Sequence, residues 1–72
     1  MSYAIRNKTN KLVVGMRFNG HLNAYIWSPV DNKHSVFEFD NPVNEKLLSS
    51  CAEDCGWDVG DLEVINYETA FD

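Results

Sequence analysis

Two alternating runs of apolar and polar residues, 12–18 and 21–27, meet at Asn19-Gly20 and give the strongest structural signal in the chain. Asn-Gly between two alternating runs is typical of a β-hairpin. A three-residue loop over 18–20 matches apolar with apolar positions on the two strands, which selects the register. In that register, four apolar side chains face the core: Leu12, Val14, Met16 and Phe18.

The same register assigns a mixed set of polar and aromatic side chains to the opposite face, away from the main core. These are Arg17, Asn23, Tyr25 and Trp27. Tyr, Trp and Arg supply most of the binding energy in protein interfaces, so a protein partner is our first hypothesis for this face. A covering layer formed by the tail around Phe71 is the second hypothesis. Stacking of nucleobases is the third, because aromatic residues on a basic sheet face also bind nucleic acid.

Three further segments alternate and predict strands, at 2–6, 35–40 and 62–67. The side chains expected to point inward from the first two are Tyr3, Ile5, Phe37 and Phe39. In the third segment apolar residues occupy both parities, so alternation leaves its inward face open. The polar stretch 7–10 predicts a turn that joins the first strand to the hairpin. The tail, 68–72, is expected to fray.

Helix signals follow between the fourth and fifth predicted strands. Asn41 is a good N-cap, Pro42 suits the first helical position, and Gly56 predicts a left-handed cap with Trp57 packed back on the last turn. The apolar stripe at helical spacing comprises Val43, Leu47, Leu48, Cys51, Ala52 and Cys55. The predicted fold is therefore α+β: one domain over residues 1–72, with an antiparallel meander of four or five strands and one helix on one face (β-β-β-β-α-β).

The chain has 72 residues, enough for one domain but not for a deep enclosed active site. Its net charge of -5 hides an asymmetry. Residues 1–35 carry five basic residues and one acidic residue, a net +4, whereas residues 36–72 carry one basic and ten acidic residues, a net -9. An acidic surface can attract a basic partner, although it can also be a merely solvated edge. The acidic edge predicted to bind a partner comprises Glu53, Asp54, Asp58 and Asp61.

The candidates for chemistry are few. Cys51 and Cys55 lie four apart but lack further Cys or His ligands at metal-binding spacings, so we predict reduced, inert, buried thiols. His21 and His34 fall in turns without an activated nucleophile. We therefore predict no catalytic residue, no metal site and no cofactor. The chain shows no apolar run of membrane-spanning length and no signal-peptide core, so the prediction is a cytoplasmic protein without membrane contact.

Read in order, the chain contains Tyr3-Ala4-Ile5, a hairpin, Phe37-Glu38-Phe39, a short helix and a closing strand. This size and order resemble many small orphan proteins of bacteriophages and mobile elements, among them anti-CRISPR and other anti-defence inhibitors. The resemblance covers most of the chain but carries no diagnostic motif, so it transfers no functional residue. It implies a non-enzymatic inhibitor that binds a host protein in the host cytoplasm.

Two alternatives to that inhibitor stay open. The first is a nucleic-acid-binding module that uses the aromatic and basic sheet face, although the net negative charge opposes phosphate binding. The second is a homodimeric structural protein that uses the same face.

Overall fold

A computed structural model describes residues 2–71 of the chain. Its regular elements are β1 (Tyr3–Asn7), β2 (Val13–Asn19), β3 (Ala24–Val30), α1 (Glu45–Cys55) and β4 (Leu62–Asn66). The four strands form one antiparallel sheet in the order β3-β2-β1-β4, and short 3-10 helices lie at Lys33–Ser35, Val59–Asp61 and Tyr67–Thr69. The predicted α+β class, with a four-stranded antiparallel sheet and one helix, is confirmed.

The predicted register of the central hairpin is wrong. The loop has four residues, 20–23, and Met16 pairs with Trp27 instead of Leu22. The reason lies in the turn, where the side-chain oxygen of Asn19 accepts hydrogen bonds from the backbone N–H groups of His21 and Leu22. The left-handed residue is Asn23, with φ of 52°, and not Gly20.

The new pairing moves β3 by five positions, an odd number, and so turns each of its side chains to the other face of the sheet. Tyr25 and Trp27 therefore share the helix-bearing face with Met16 and their other β2 partners, while Arg17 points to the opposite face. The expected inward set is only partly correct. Val14 is fully buried and Leu12 is half-buried, but Met16 and Phe18 are exposed.

The predicted fourth strand, 35–40, is not a regular strand. β1 and β2 pair next to their turn, at Arg6 and Val13, and then splay apart. The segment crosses between the splayed strands, so it forms single bridges: Val36 to Gly15 of β2, and Phe39 to Tyr3 of β1. The predicted core positions of its phenylalanines are confirmed, because Phe39 is buried and Phe37 packs against the same cluster.

Gly15 makes this crossing sterically feasible. A Cβ atom at this position would lie 2.3 Å from the carbonyl oxygen of Ser35 and 2.8 Å from the nearer methyl group of Val30. Since the first neighbour is backbone, it cannot move aside as the end of a side chain can. The absence of a side chain at Gly15 is therefore what lets the crossing segment approach β2.

The N-cap of helix α1 lies three residues later than predicted. Asn44, not Asn41, is the N-cap, and its side-chain oxygen accepts a hydrogen bond of 2.9 Å from the Leu47 N–H. Both asparagines suit the role, so residue preference alone did not separate them. The predicted end is confirmed. Gly56 adopts φ of 72°, and the Trp57 N–H bonds the Ala52 carbonyl at 2.8 Å.

Each face of the sheet carries a buried apolar cluster. On the helix side, the buried cluster comprises Ile5, Val14, Phe39, Cys51, Ala52 and Leu62. On the opposite side it comprises Ala4, Val13, Val36 and Ala70. The expectation of a frayed tail is wrong up to residue 71, because Ala70 is only 4% exposed and anchors the last 3-10 helix. Asp72 lies outside the described residues.

The structure also resolves the facing of the closing strand. Leu62 of β4 enters the helix-side cluster, whereas Ile65 packs against the opposite cluster. None of the helices formed within residues 2–71 has the length and apolar content needed to cross a membrane.

Candidate functional site

The free end of the β2–β3 hairpin exposes a group of large apolar side chains, which we call the hairpin patch. Its members and their exposed fractions are Met16 (39%), Phe18 (52%), Leu22 (66%) and Tyr25 (68%). Single exposed apolar residues are ordinary on protein surfaces, but a contiguous group on one element marks an interaction surface. The hairpin patch is therefore the leading candidate for a functional site.

The strand register builds the hairpin patch. Phe18 and Tyr25 are directly opposed on neighbouring strands, and their rings meet edge to face with centroids 5.4 Å apart. Met16, two residues before Phe18, lies on the same face, and Leu22 extends the group into the loop. An edge-to-face pair fixes both rings on a hydrogen-bonded hairpin, so the patch is arranged before any partner arrives.

Trp27 is not the exposed anchor that the sequence predicts. Its ring packs on the aromatic rings of Phe37 and Phe39, at centroid distances of 5.0 and 5.4 Å, and belongs to the helix-side core. Its backbone N–H donates a 3.1 Å hydrogen bond to a carboxylate oxygen of Asp54 on α1. The physical reason is the register: Trp27 lies opposite Met16, on the face that carries the helix.

The predicted face of Arg17, Tyr25 and Trp27 is not assembled either. Arg17 pairs with Ile26 and points to the sheet face opposite Tyr25. Both Arg17 and Tyr25 are exposed, but they cannot contact the same base or the same flat surface. What remains of the predicted aromatic site is Tyr25, now beside Phe18.

The acidic edge follows the C-terminal end of α1. Glu53, Asp54 and Asp58 are exposed, and Asp61 is half-buried. Two of these carboxylates also stabilise backbone. Asp54 binds the Trp27 N–H, and Asp58 accepts a 3.0 Å hydrogen bond from the Gly60 N–H at the start of a 3-10 helix. Glu53 has no such bond among residues 2–71, so its charge is the clearest candidate for a purely external role.

The acidic edge and the hairpin patch adjoin. Asp54 touches the backbone of Trp27, which lies two residues from Tyr25 on β3 and directly opposite Met16 on β2. An apolar group with a carboxylate at its border is the usual anatomy of a protein interface, in which a polar rim surrounds an apolar centre.

The two cysteines lie on the inner side of α1, with Cys51 buried and Cys55 half-buried. Burial first, and then the nearby Cys55 and Asp54, raise the pKa of the Cys51 thiol to about 12. Burial, followed by Asp54, raises the pKa of Cys55 to about 11. Both thiols are therefore protonated near neutral pH, and a protonated thiol is a poor nucleophile and a poor ligand. Within residues 2–71 no group of three or more His, Cys, Asp or Glu side chains could hold a metal ion.

Sequence reasoning missed Met16, Phe18 and Leu22 as site residues, because it assumed that every apolar position of the hairpin faces the core. One signal could have found the patch. A four-residue loop pairs Phe18 with Tyr25 and Met16 with Trp27, which are favourable cross-strand pairs of large side chains. Asn19 supplies the side-chain acceptor that such a loop uses.

Comparison with known proteins finds no matching family model, no matching curated protein and no matching solved structure. Function must therefore be argued from the geometry of this chain.

Proposed function

We propose that the protein is a small, non-enzymatic protein-binding module whose hairpin patch anchors the complex. The observation that carries the proposal is the exposed Phe18–Tyr25 ring pair at the end of a hairpin whose first strand is buried at its base, over Val13, Val14 and Gly15. Large aromatic side chains that lose their water in an interface contribute 2 kcal/mol or more, about thirtyfold in affinity. Because the hairpin holds the rings in place, little conformational entropy is lost on binding.

The acidic edge gives the partner its chemical character. Asp54 borders the hairpin patch, Glu53 precedes it on the same helix, and Asp58 and Asp61 continue the acidic edge beyond the end of α1. A partner with an apolar pocket and a basic border is complementary to this arrangement. Exposed carboxylates of this kind speed the encounter with a basic partner, so the association rate should fall as salt is added.

The finer proposal is a phage-type inhibitor that acts in the host cytoplasm on a defence protein or a protein that handles nucleic acid. Two features support it: the small size, which resembles that of anti-defence proteins, and the charge of -5. Proteins that bind nucleic acid carry basic surfaces for phosphate contact. An acidic binder with an apolar anchor can occupy such a surface without any catalysis.

The alternatives draw less support from the geometry. A nucleic-acid-binding module would need Arg17 and the aromatic rings on one face, and they lie on opposite faces. A homodimer would use the hairpin patch in both copies, which also brings two negatively charged chains together. Mobility shift with single-stranded DNA and RNA tests the first alternative, and sedimentation across a concentration series tests the second.

The main experiment is an affinity capture from the source cell, with mass spectrometry, that compares three forms of the protein. The test variant is Phe18→Ser with Tyr25→Ser, and the matched control is Phe71→Ser, which removes an exposed ring elsewhere. We expect one basic partner to be captured by the wild type and by the control and to be lost from the test variant. Equal capture by all three forms contradicts a role for the hairpin patch.

A further inference from the structure

The sheet has two outer edges, formed by β3 and β4, and they differ in how their backbone groups are protected. An unprotected edge strand offers a row of N–H and C=O groups on which another chain can form a strand. The backbone groups that point outward from each edge therefore decide which edge can bind a further strand.

On β3, two of the three outward N–H positions are protected. The Trp27 N–H points away from β2, since it bonds Asp54 of α1. Because the direction alternates along a strand, the backbone groups of residues 25 and 29 also point away from β2. Position 29 is Pro29, which has no N–H, and α1 lies across the strand at Trp27. A proline and a covering helix are two of the devices by which proteins prevent pairing at an edge.

On β4, the outward groups follow from the bonds at its two ends. The Lys8 N–H donates to the Asp61 carbonyl, and the Tyr67 N–H donates to the Ser2 carbonyl, so residues 61 and 67 point toward β1. Because the direction alternates along a strand, the backbone N–H and C=O groups of Leu62, Val64 and Asn66 point outward, away from β1. Leu62 donates its N–H to the Val59 carbonyl. This leaves the Val64 N–H and C=O, the Asn66 N–H and the Leu62 C=O directed outward from the edge.

β4 lacks two of the devices that prevent pairing at an edge. The strand reads LEVIN, without proline or lysine, and no described strand pairs with its outer side. Val64 on this edge is 39% exposed, so an apolar side chain accompanies the unpaired backbone groups.

The segment of the chain that contains β4 carries charge of one sign only. The stretch 58–68 contains four carboxylates, Asp58, Asp61, Glu63 and Glu68, and neither lysine nor arginine. Glu63 is paired with Arg6 of the neighbouring strand at 2.9 Å. The other three flank the two ends of β4, where the ends of an added strand would lie.

We propose that the open edge of β4 binds an extended, basic segment of a partner protein as a fifth strand of the sheet. Val64 would supply two backbone hydrogen bonds and an apolar contact, and the flanking carboxylates would select lysine or arginine on either side. A second copy of the chain fits less well, because antiparallel pairing about Val64 would place Asp61 of one copy opposite Tyr67 of the other, one residue from Glu68, and so bring like charges together at both ends. This surface lies on the edge opposite the hairpin's own β3 edge and goes beyond the proposed function.

The test uses the whole protein and a synthetic probe, the capped peptide KVTVTVK, with EVTVTVE as the control of opposite charge. Amide hydrogen exchange is followed by NMR. At a peptide concentration about ten times Kd, exchange at Val64 and Asn66 should slow about tenfold with the basic peptide. The acidic peptide should leave both amides unchanged.

A backbone variant separates edge pairing from simple charge attraction. The chain can be assembled by chemical ligation at Cys55, once with N-methylvaline at position 64 and once with ordinary valine as the matched control. The N-methyl group removes the outward N–H and keeps the side chain. Affinity for KVTVTVK should fall about fivefold, the effect of one lost hydrogen bond.

Three results would overturn this proposal. They are equal binding of the acidic and basic peptides, unchanged affinity after N-methylation, and slowed exchange at Val64 and Asn66 that depends on protein concentration without peptide. The last result identifies a second copy as the occupant. Since no variant touches the hairpin patch, failure here leaves the capture experiment on Phe18 and Tyr25 unaffected.

Discussion

The base and the free end of the β2–β3 hairpin carry the same alternating pattern but have opposite surroundings. At the base, Val13, Val14 and Gly15 are fully enclosed by α1, the crossing segment and the C-terminal 3-10 helix. Near the loop, Phe18 on β2 and its partner Tyr25 on β3 are more than half exposed. Hydrophobicity alone does not separate a folding core from a binding surface. What separates them is whether another element of the same chain lies over the strand.

This comparison predicts that substitutions at the base act on folding, whereas substitutions at the free end act on binding. Four experiments test it, and they are ordered by the expected change in the free energy of unfolding.

Gly15→Ala should cause the largest change. The new Cβ atom would meet the Ser35 carbonyl oxygen at 2.3 Å, so the crossing segment must shift away from β2. We expect a loss of about 3 kcal/mol, at the upper end for overpacking. The matched control is Gly20→Ala in the hairpin loop, where a Cβ atom has no neighbour within 4 Å. Urea denaturation of both variants measures the difference, and equal stabilities would show that the base is not tightly enclosed.

Much of the fold is encoded locally and was predicted. The Asn7 turn, the helix stripe and its Gly56 cap each depend on residues close in sequence, and the structure confirms all three. The errors concern relations between distant segments. Nothing within 35–40 indicates that β1 and β2 splay to admit it, and nothing within 62–66 shows that its partner is β1, more than fifty residues away.

The prediction of the candidate site failed for the same reason, because it too depended on how distant segments pack. The register was chosen on the assumption that apolar positions must be buried, and this assumption fails where no element covers the hairpin. It assigned Trp27 to the surface and Phe18 to the core, and both assignments are wrong. The carboxylates at 53, 54 and 58 are exposed as expected, because charge and chain position placed them without reference to the register. Tyr25 is also exposed, but on the other face of the sheet from the one that the predicted register gave it.

Trp27→Ala should cause the next largest change. The indole packs on Phe37 and Phe39 and is only partly exposed, so we expect a loss of about 2 kcal/mol, less than for a fully buried tryptophan. Thermal unfolding followed by circular dichroism measures it. A variant as stable as the wild type would mean that Trp27 belongs with the free end of the hairpin, and it would restore its role as an anchor.

Asp54→Ala should have a smaller effect, because it removes one hydrogen bond between α1 and the edge of β3. Charged partners make such bonds worth about 1.5 kcal/mol, and partial exposure lowers this to about 1 kcal/mol. Asp54→Asn keeps an acceptor and should recover most of the loss. Amide exchange at Trp27 should quicken in the alanine variant and stay near the wild-type rate in the asparagine variant. If both variants exchange alike, the bond does not protect the edge.

The smallest change in stability is expected at the free end. Phe18→Ser and Tyr25→Ser remove rings that are mostly in water already, so each should alter the free energy of unfolding by about 0.5 kcal/mol or less. The double variant reports the coupling between the rings, because an edge-to-face pair adds about 0.5–1.5 kcal/mol when it is well packed. The exposure of this pair places its coupling at the lower limit.

A small coupling energy between the Phe18 and Tyr25 rings would distinguish a binding surface from a loosely packed core. If the double variant unfolds with the wild type's midpoint yet loses its captured partner, the hairpin patch contributes to binding and not to folding. If it loses 2 kcal/mol or more, as a core substitution would, the base and the free end form one packed unit. The contrast between them would then be a matter of solvent contact only, and the anchor would have to be sought elsewhere on the surface.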